Sequence, residues 1–319
     1  RSLSTHQGKL MSTLNFSGKK SRPIVVVGSL NMDLVMRTPR VPVGGETLNG
    51  HEFSTLPGGK GANQAVACAR LGAQVSMIGQ VGEDGFGRTL RDGLIADGID
   101  VSGIKQTSAV GTGVAMILVE DIGQNRIVLA AGANGALTPA DIDGCAAVIK
   151  GAAMLVVQLE VPMPVVQRAV EIAHAAGVAV LLNPGPAAPL PESIWPLVDI
   201  LVPNETEASL LSGVTVSDAP SAYAAAKIFR QRGMNCVLIT LGANGVAVID
   251  DAGERHLPAH VVKAVDTTAA GDTFIGGISA ALVEGLTLDE AVALGQRASA
   301  LCVTRHGAQP SIPYRRELA

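Results

Sequence analysis

Asp272 follows a run of small residues, Ala269-Ala270-Gly271, and Phe274, Ile275, Ile278, Ala281 and Leu282 repeat behind it at helical spacing. A helix is therefore expected to open at about Gly271. An acid at that place can cap the helix, satisfying a free N–H and complementing the dipole. Capping does not account for the small residues in front, which bare the backbone N–H groups to a ligand. A helix end of that kind is an anion site with a carboxylate beside it. Asn31, Asp33, Asn63, Glu160 and Asp272 make up a set of carboxylates and carboxamides, the paired acceptors and donors that adjacent hydroxyls of a polyol require. Taken singly, Asn31 and Asp33 serve equally well as turn caps and Glu160 as a solvated carboxylate. Asn204 and Glu207 offer hard oxygens suited to Mg2+. Asn204 also fits the N-cap of a helix with acids in its first turn, and both readings hold together.

Pro57-Gly58-Gly59-Lys60-Gly61-Ala62-Asn63 invites comparison with a phosphate-binding P-loop, and the pattern fails twice. Ser54 stands where the first glycine belongs, and Gly61 where Ser or Thr would meet Mg2+. A dinucleotide fingerprint is also missing, because Gly28 is followed by Leu30-Asn31-Met32-Asp33. Gly58-Gly59 reads as a tight turn into a helix whose first-turn Lys60 and Asn63 can hydrogen-bond a polyol.

The elements that must position these residues are short apolar runs alternating with helical patterns. Residues 24–28, 75–79, 154–159, 178–182, 199–202 and 236–241 read as buried strands, and residues 62–71 and 164–176 as helices between them. Continuous apolar strands separated by helices predict an α/β fold: a doubly wound, mostly parallel sheet with helices on both faces. Residues 114–119 and 126–130 flank Asp121-Ile122-Gly123-Gln124-Asn125, which is hairpin chemistry without a helix. Residues 34–56 are polar, rich in Pro and Gly, and poor in helix. The expected organisation is a core of 23–33, 58–107 and 135–319, with a β lid from 34–57 and 108–134. In an open parallel sheet, ligands bind beyond the carboxyl ends of the strands. Asn31 and Asp33, Glu160, Asn204 and Glu207, and Gly242 all follow such ends.

The chain carries 24 Lys+Arg against 28 Asp+Glu, so it has no basic excess with which to hold nucleic acid. No run reaches the roughly 18 apolar residues of a membrane span. Cys68, Cys145, Cys236 and Cys302 are widely spaced without a Cys-x-x-Cys pair, which predicts buried free thiols and a cytoplasmic protein. Residues 1–22, rich in Ser, Lys and Arg, read as a disordered leader or tag remnant outside the fold.

Residues 265–274 (Val-Asp-Thr-Thr-Ala-Ala-Gly-Asp-Thr-Phe) closely resemble the carboxyl-terminal signature of the ribokinase (PfkB-type) family of carbohydrate kinases, and residues 58–63 its amino-terminal signature. Residues 28–33, 203–207 and 305–311 match in order and spacing, so the resemblance runs from about Pro23 to about Pro313. It implies ATP-dependent phosphorylation of D-ribose at its 5-hydroxyl. Asp272 would be the base, and the N–H groups of Ala270, Gly271 and Asp272 the anion hole. Asn31, Asp33, Gly59, Lys60, Asn63 and Glu160 correspond to sugar-binding positions. Asn204, Thr240 and Gly242 correspond to nucleotide-phosphate positions, and Glu207 to the acid that organises Mg2+ through water. The resemblance further implies a monovalent-cation (K+) site built mostly from carbonyls of Asp266, Thr268, Cys302, Arg305 and Gly307, with Ser311 adding an oxygen. It also implies a homodimer formed through the lid. Thr268 and Cys302 depart from the aliphatic or small residues common in the family. Within the same fold the acceptor could instead be deoxyribose, fructose or a sugar acid. With 1 Trp, 2 Tyr and 5 Phe, the chain is poor in the aromatic clamps that a nucleoside would favour. A non-catalytic sugar sensor would have no use for the intact Asp272 and its anion hole.

Overall fold

Ile24, Val25, Val26 and Val27 are all fully buried, yet their side chains go alternately to two different cores. Only a strand covered on both faces does this. In the computed structural model, which describes residue 16 and residues 18–318, this strand is β1 (Ile24–Val27) of a nine-stranded sheet. The strands that follow are β2 (Asn31–Thr38), β3 (Glu52–Gly58), β4 (Val75–Gly82), β5 (Asp100–Thr107), β6 (Gly113–Glu120), β7 (Asn125–Ala130), β8 (Met154–Val157), β9 (Ala179–Leu182), β10 (Ile200–Leu201), β11 (Cys236–Thr240), β12 (Val246–Asp250) and β13 (Gly253–Leu257). The large sheet runs β13-β12-β11-β10-β9-β8-β1-β4-β5. It is parallel from β5 to β11, and β12 and β13 close one edge antiparallel. This is the doubly wound α/β architecture expected.

Helices Lys60–Arg70, Ala270–Glu284 and Leu288–Cys302 pack on one face with Ile24 and Val26, and Met163–Ala175 and Ala219–Gln231 on the other with Val25 and Val27. Two glycines set the depth of the first packing. A Cβ on Gly276 would lie 2.2 Å from that of Ala67, and one on Gly277 would lie 2.7 Å from the Cα of Gly295. The helix that carries Asp272 is thereby wedged between its neighbours at backbone distance, which fixes the acid relative to Asn63.

The remaining strands form a small sheet, β3-β2-β6-β7, with β2 parallel to β6 and the outer pairs antiparallel. It is the lid expected from composition, with a shifted edge. β2 begins at Asn31, so Asn31 and Asp33, assigned by composition to the core, are lid residues that leave the core through the turn at residues 28–30. A one-sided apolar pattern did not reveal β2, because its first residues face a polar site. β5 also escaped the sequence reading, since a partly exposed edge strand of sequence DVSGIKQT has no apolar run.

Residues 1–15 and 17 of the expected leader lie outside the described residues. At its described end the reading is corrected: Phe16 is buried in the core, and the N–H of Lys19 donates to its carbonyl at 2.9 Å. The cysteines are free, and three are buried; Cys145, between two short helices, is half-buried. Among the described residues no helix is long and apolar enough to cross a membrane.

Candidate active site

The turn after β1 and the start of helix Lys60–Arg70 approach each other closely enough to exclude side chains. A Cβ on Gly61 would fall 2.5 Å from the backbone nitrogen of Ser29, and Gly59, at φ 90°, lies in the left-handed region that glycine favours. Gly61→Ala is therefore expected to cost about 3 kcal/mol of stability by overpacking, read as a lower urea midpoint with an unchanged slope. A variant as stable as the parent would show that the turn can yield.

Two distant side chains complete this corner. Glu160, which follows β8, accepts from the Ser29 hydroxyl at 2.5 Å and from the N–H of Lys60 at 3.0 Å. It is thus an anchored cap rather than a solvated acid. Asn134 accepts from the N–H of Leu30 at 2.9 Å and donates to the Leu30 carbonyl and to Oδ1 of Asn31 at 3.0 and 2.8 Å. With its oxygen so engaged, Asn31 keeps its NH2 group for a ligand. Asn31, Asn134 and Glu160, with Leu129 of β7, Ala131 and Pro186, line a cavity of about 270 Å3.

Asp33 lies buried against Gly58, where any side chain would strike its carboxylate. Burial, then the charges of Glu160 and Asp272, push its carboxyl up to about 7. The attraction of Asp272 outweighs burial at Lys60 and holds that ammonium above its ordinary range.

Asp272 stands in the first turn of helix Ala270–Glu284 without capping it. The cap position belongs to Ala269, at φ 61° the one non-glycine residue with positive φ among those described, and no side chain caps the helix. The carboxylate instead accepts from Nδ2 of Asn63 at 3.0 Å and from Nε2 of Gln64 at 2.9 Å. Oδ1 of Asn63 is buried with no partner, an acceptor awaiting a hydroxyl donor. The three N–H groups expected to form an anion hole differ in their engagement. The N–H of Ala270 donates to the Thr267 carbonyl at 3.2 Å, which leaves those of Gly271 and Asp272 without a protein acceptor among the described residues.

Glu207 and Asn204 sit at the carboxyl ends of β10 and β11 and cap helix Glu205–Ser212 reciprocally. The N–H of Glu207 donates to Oδ1 of Asn204 at 2.8 Å, and that of Asn204 to Glu207 at 3.0 Å. Burial dominates at Glu207 and raises its pKa. Asn204 bridges to Thr240, and Gly242 opens the next turn at φ 52°. Gln64, Gln158 and Asn183, which the sequence reading missed, fill the space between the two groups of acids. Gln158 and Asn183 follow strand ends (β8 and β9), the one signal that could have found them.

The proposed cation ligands assemble around the loop before helix Ala270–Glu284. Asp266 accepts from the N–H of Thr268 and of Gly307, both at 2.9 Å; burial alone would raise its pKa, and hydrogen bonds from the Thr268 side chain and these two N–H groups together lower it. The thiol of Cys302 and the hydroxyl of Ser311 are 3.0 Å apart. The Cys302 carbonyl already accepts from the N–H of Arg305, whose side chain turns away to Glu317. The carbonyls of Asp266, Arg305 and Gly307 accept no hydrogen bond among the described residues. No three His, Cys, Asp or Glu side chains gather as a metal cluster among the described residues.

A bare helix terminus beside a buried carboxylate, at the carboxyl edge of a doubly wound sheet, is the equipment of a sugar-phosphorylating enzyme. The chain belongs to the pfkB family of carbohydrate kinases, whose family model matches residues 21–315. Its relatives include ribokinases. It is 46% identical over 296 residues to the ribokinase of Haemophilus influenzae, across 93% of this chain and 97% of that one. It is also 46% identical over 303 residues to the ribokinase of Schizosaccharomyces pombe, across 91% and 94%. The structure of Arabidopsis thaliana ribokinase complexed with ribose and ATP superposes with a TM-score of 0.89 at 33% identity, covering 93% of this chain and 97% of that chain.

Proposed function

We propose that the protein transfers the γ-phosphoryl group of ATP to the 5-hydroxyl of D-ribose, giving ribose 5-phosphate and ADP. The observation that carries this reading is the free pair of N–H groups at Gly271 and Asp272, beside a carboxylate held in place by Asn63 and Gln64. Asn31, Asp33, Gly59, Lys60, Asn63 and Glu160 surround the sugar. Its 5-hydroxyl points at Asp272, which takes the proton as the new O–P bond forms and the bond to ADP breaks. Phosphoryl transfer passes through a loose transition state, so alignment and stabilisation of the phosphoryl oxygens carry most of the catalysis. Asn204, Thr240 and Gly242 would receive the nucleotide phosphates. Glu207, a single buried acid, suits Mg2+ bound through water, with phosphate oxygens completing the shell. The free carbonyls of Asp266, Arg305 and Gly307, with Thr268 and Ser311 beside them, suit K+. The free thiols accord with a reducing, cytoplasmic setting.

Ile127 and Leu129, 57% and 51% exposed, form an apolar face on the lid beside Ile117 and Val35, and Leu129 also lines the cavity. A face of this kind is buried by association, and a homodimer through the lids would cover it. Ile127→Glu is expected to give a monomer in light scattering, with a raised KM for ribose; an unchanged dimer would place the interface elsewhere.

The test of the activity is ADP formation from ATP and Mg2+ with ribose, deoxyribose, fructose or adenosine, in K+ and in Na+. Highest turnover with ribose, increased by K+, is expected. A different preferred acceptor would reassign the pocket, and ribose binding by folded protein without ADP formation would overturn the reading.

A further inference from the structure

Between the two groups of acids runs an unbroken line of buried amides. Nε2 of Gln64 donates to Oδ1 of Asp272 at 2.9 Å and to Oδ1 of Asn183 at 3.2 Å. Nδ2 of Asn183 donates to the Val202 carbonyl at 2.9 Å and to Glu207 at 3.4 Å. Gln64 is fully buried and Asn183 nearly so. The direction of each amide is dictated by its neighbours. The Val202 carbonyl accepts only, so Asn183 must turn its NH2 that way and its oxygen toward Gln64. Gln64 must then present its NH2 to both Asn183 and Asp272, which leaves its oxygen for Nε2 of Gln158 at 2.6 Å. Neither amide can flip without placing donor against donor.

We propose that Gln64 and Asn183 are positioning residues: a rigid amide relay that aligns the Asp272 carboxylate and couples it to Glu207, so that occupancy of the nucleotide side is felt at the sugar side. This rests on the phosphoryl-transfer reading given above. In a buried polar chain of low dielectric, each bond polarises the next, and a group that shifts at one end must be answered at the other. The longest link, from Asn183 to Glu207, is where charge arriving beside Glu207 acts first. Both amides are buried with their NH2 groups turned to protein acceptors, so the relay sets geometry rather than binding sugar.

The test combines steady-state kinetics with ribose titrations by calorimetry, with and without Mg2+ and the non-hydrolysable adenylyl imidodiphosphate. In the parent protein the nucleotide analogue is expected to tighten ribose binding by about 5-fold or more. Gln64→Met keeps the volume and removes the donors. It should lower kcat by about 30-fold, leave KM for ribose within about 3-fold and bring the coupling ratio to about 1. Asn183→Ala, which spares the bond to Asp272, should abolish the coupling with a smaller loss of kcat. Val66→Ala, a cavity two residues along the same helix, should lower stability while kcat and coupling stay at parent values.

Parent-like kcat and coupling in Gln64→Met would overturn the relay, as would an equal loss in Val66→Ala, which would reduce the effect to packing. Should Gln64→Met fail to fold, retained coupling in Asn183→Ala overturns the proposal by itself. A parent protein inactive on every sugar overturns the kinase reading and the relay together; an active parent with an unaltered Gln64→Met overturns the relay alone.

Discussion

Asp272→Asn is expected to lower kcat about 1,000-fold, the range a positioned proton acceptor contributes, while ribose still binds. The geometry adds a second effect. Both carboxylate oxygens of Asp272 accept from amide NH2 groups, Asn63 on one and Gln64 on the other. An asparagine must turn its own NH2 toward one of them and face donor against donor. The unmade bond costs about 1–3 kcal/mol, so Asp272→Asn should be less stable than the parent as well as inactive. Asp272→Ala removes the base without that clash, although it leaves both donors unpaired. Equal loss of kcat in the two variants, with ribose affinity by calorimetry retained, would assign the rate effect to the missing base. Appreciable turnover in either variant would remove Asp272 from that role.

The second large effect concerns Asp33. Burial, with the charges of Glu160 and Asp272, pushes its carboxyl up to about 7 in the folded protein, from an ordinary value of 3.8. Between those limits the native state holds a proton that the unfolded chain has released. Its contribution to stability is therefore greatest in acid and falls as pH rises through that window. Asp33→Asn removes the penalty and is expected to be more stable than the parent at pH 8, by about 1–3 kcal/mol after allowance for local relaxation. The same change should weaken ribose by about 10–100-fold, because an amide replaces one of the carboxylate's two acceptor oxygens by a donor and removes its charge. It follows that ribose, which favours the ionised form, binds more tightly as pH rises toward 7 and releases a proton on binding. Calorimetry at pH 6.5 in buffers of different ionisation enthalpy reads that proton directly. Proton uptake, or an Asp33→Asn variant less stable at pH 8, would contradict the account. Stability set against binding at one residue is a trade common in functional sites.

What the sequence could reveal depended on which interactions leave a local mark. Buried parallel strands such as Ile24–Val27 are continuous apolar runs, and the helices between them repeat at their own period, so the layered core was legible. The bare helix end before Asp272 was legible too, because small residues in front of an acid are visible in the chain. The pairing of Asn31 with Asn134, 103 residues apart, was not, since nothing near either residue marks the other. The same is true of Glu160 on the Lys60 N–H and of Gln64 on Asp272, contacts that arise only when strands distant in sequence end at one edge. The resemblance implies an Ala270 N–H that faces the phosphoryl group, and the chain around it carries no mark of a competing partner. That N–H is spent on Thr267 through the left-handed turn at Ala269, a backbone detail that composition does not specify.

The two sheets divide the labour in a way that bears on how such an enzyme changes its preferences. Asn31 and Asp33 belong to the small sheet, whereas Gly271, Asp272, Asn204 and Glu207 lie at the starts of helices that flank the large one. Part of the pocket proposed for the acceptor is thus carried by the small sheet, while Lys60, Asn63 and Glu160 and the residues proposed for the donor lie on the side of the large one. Substitutions at Asn31 and Asp33 would then retune the proposed sugar pocket while leaving the residues proposed for the donor in place.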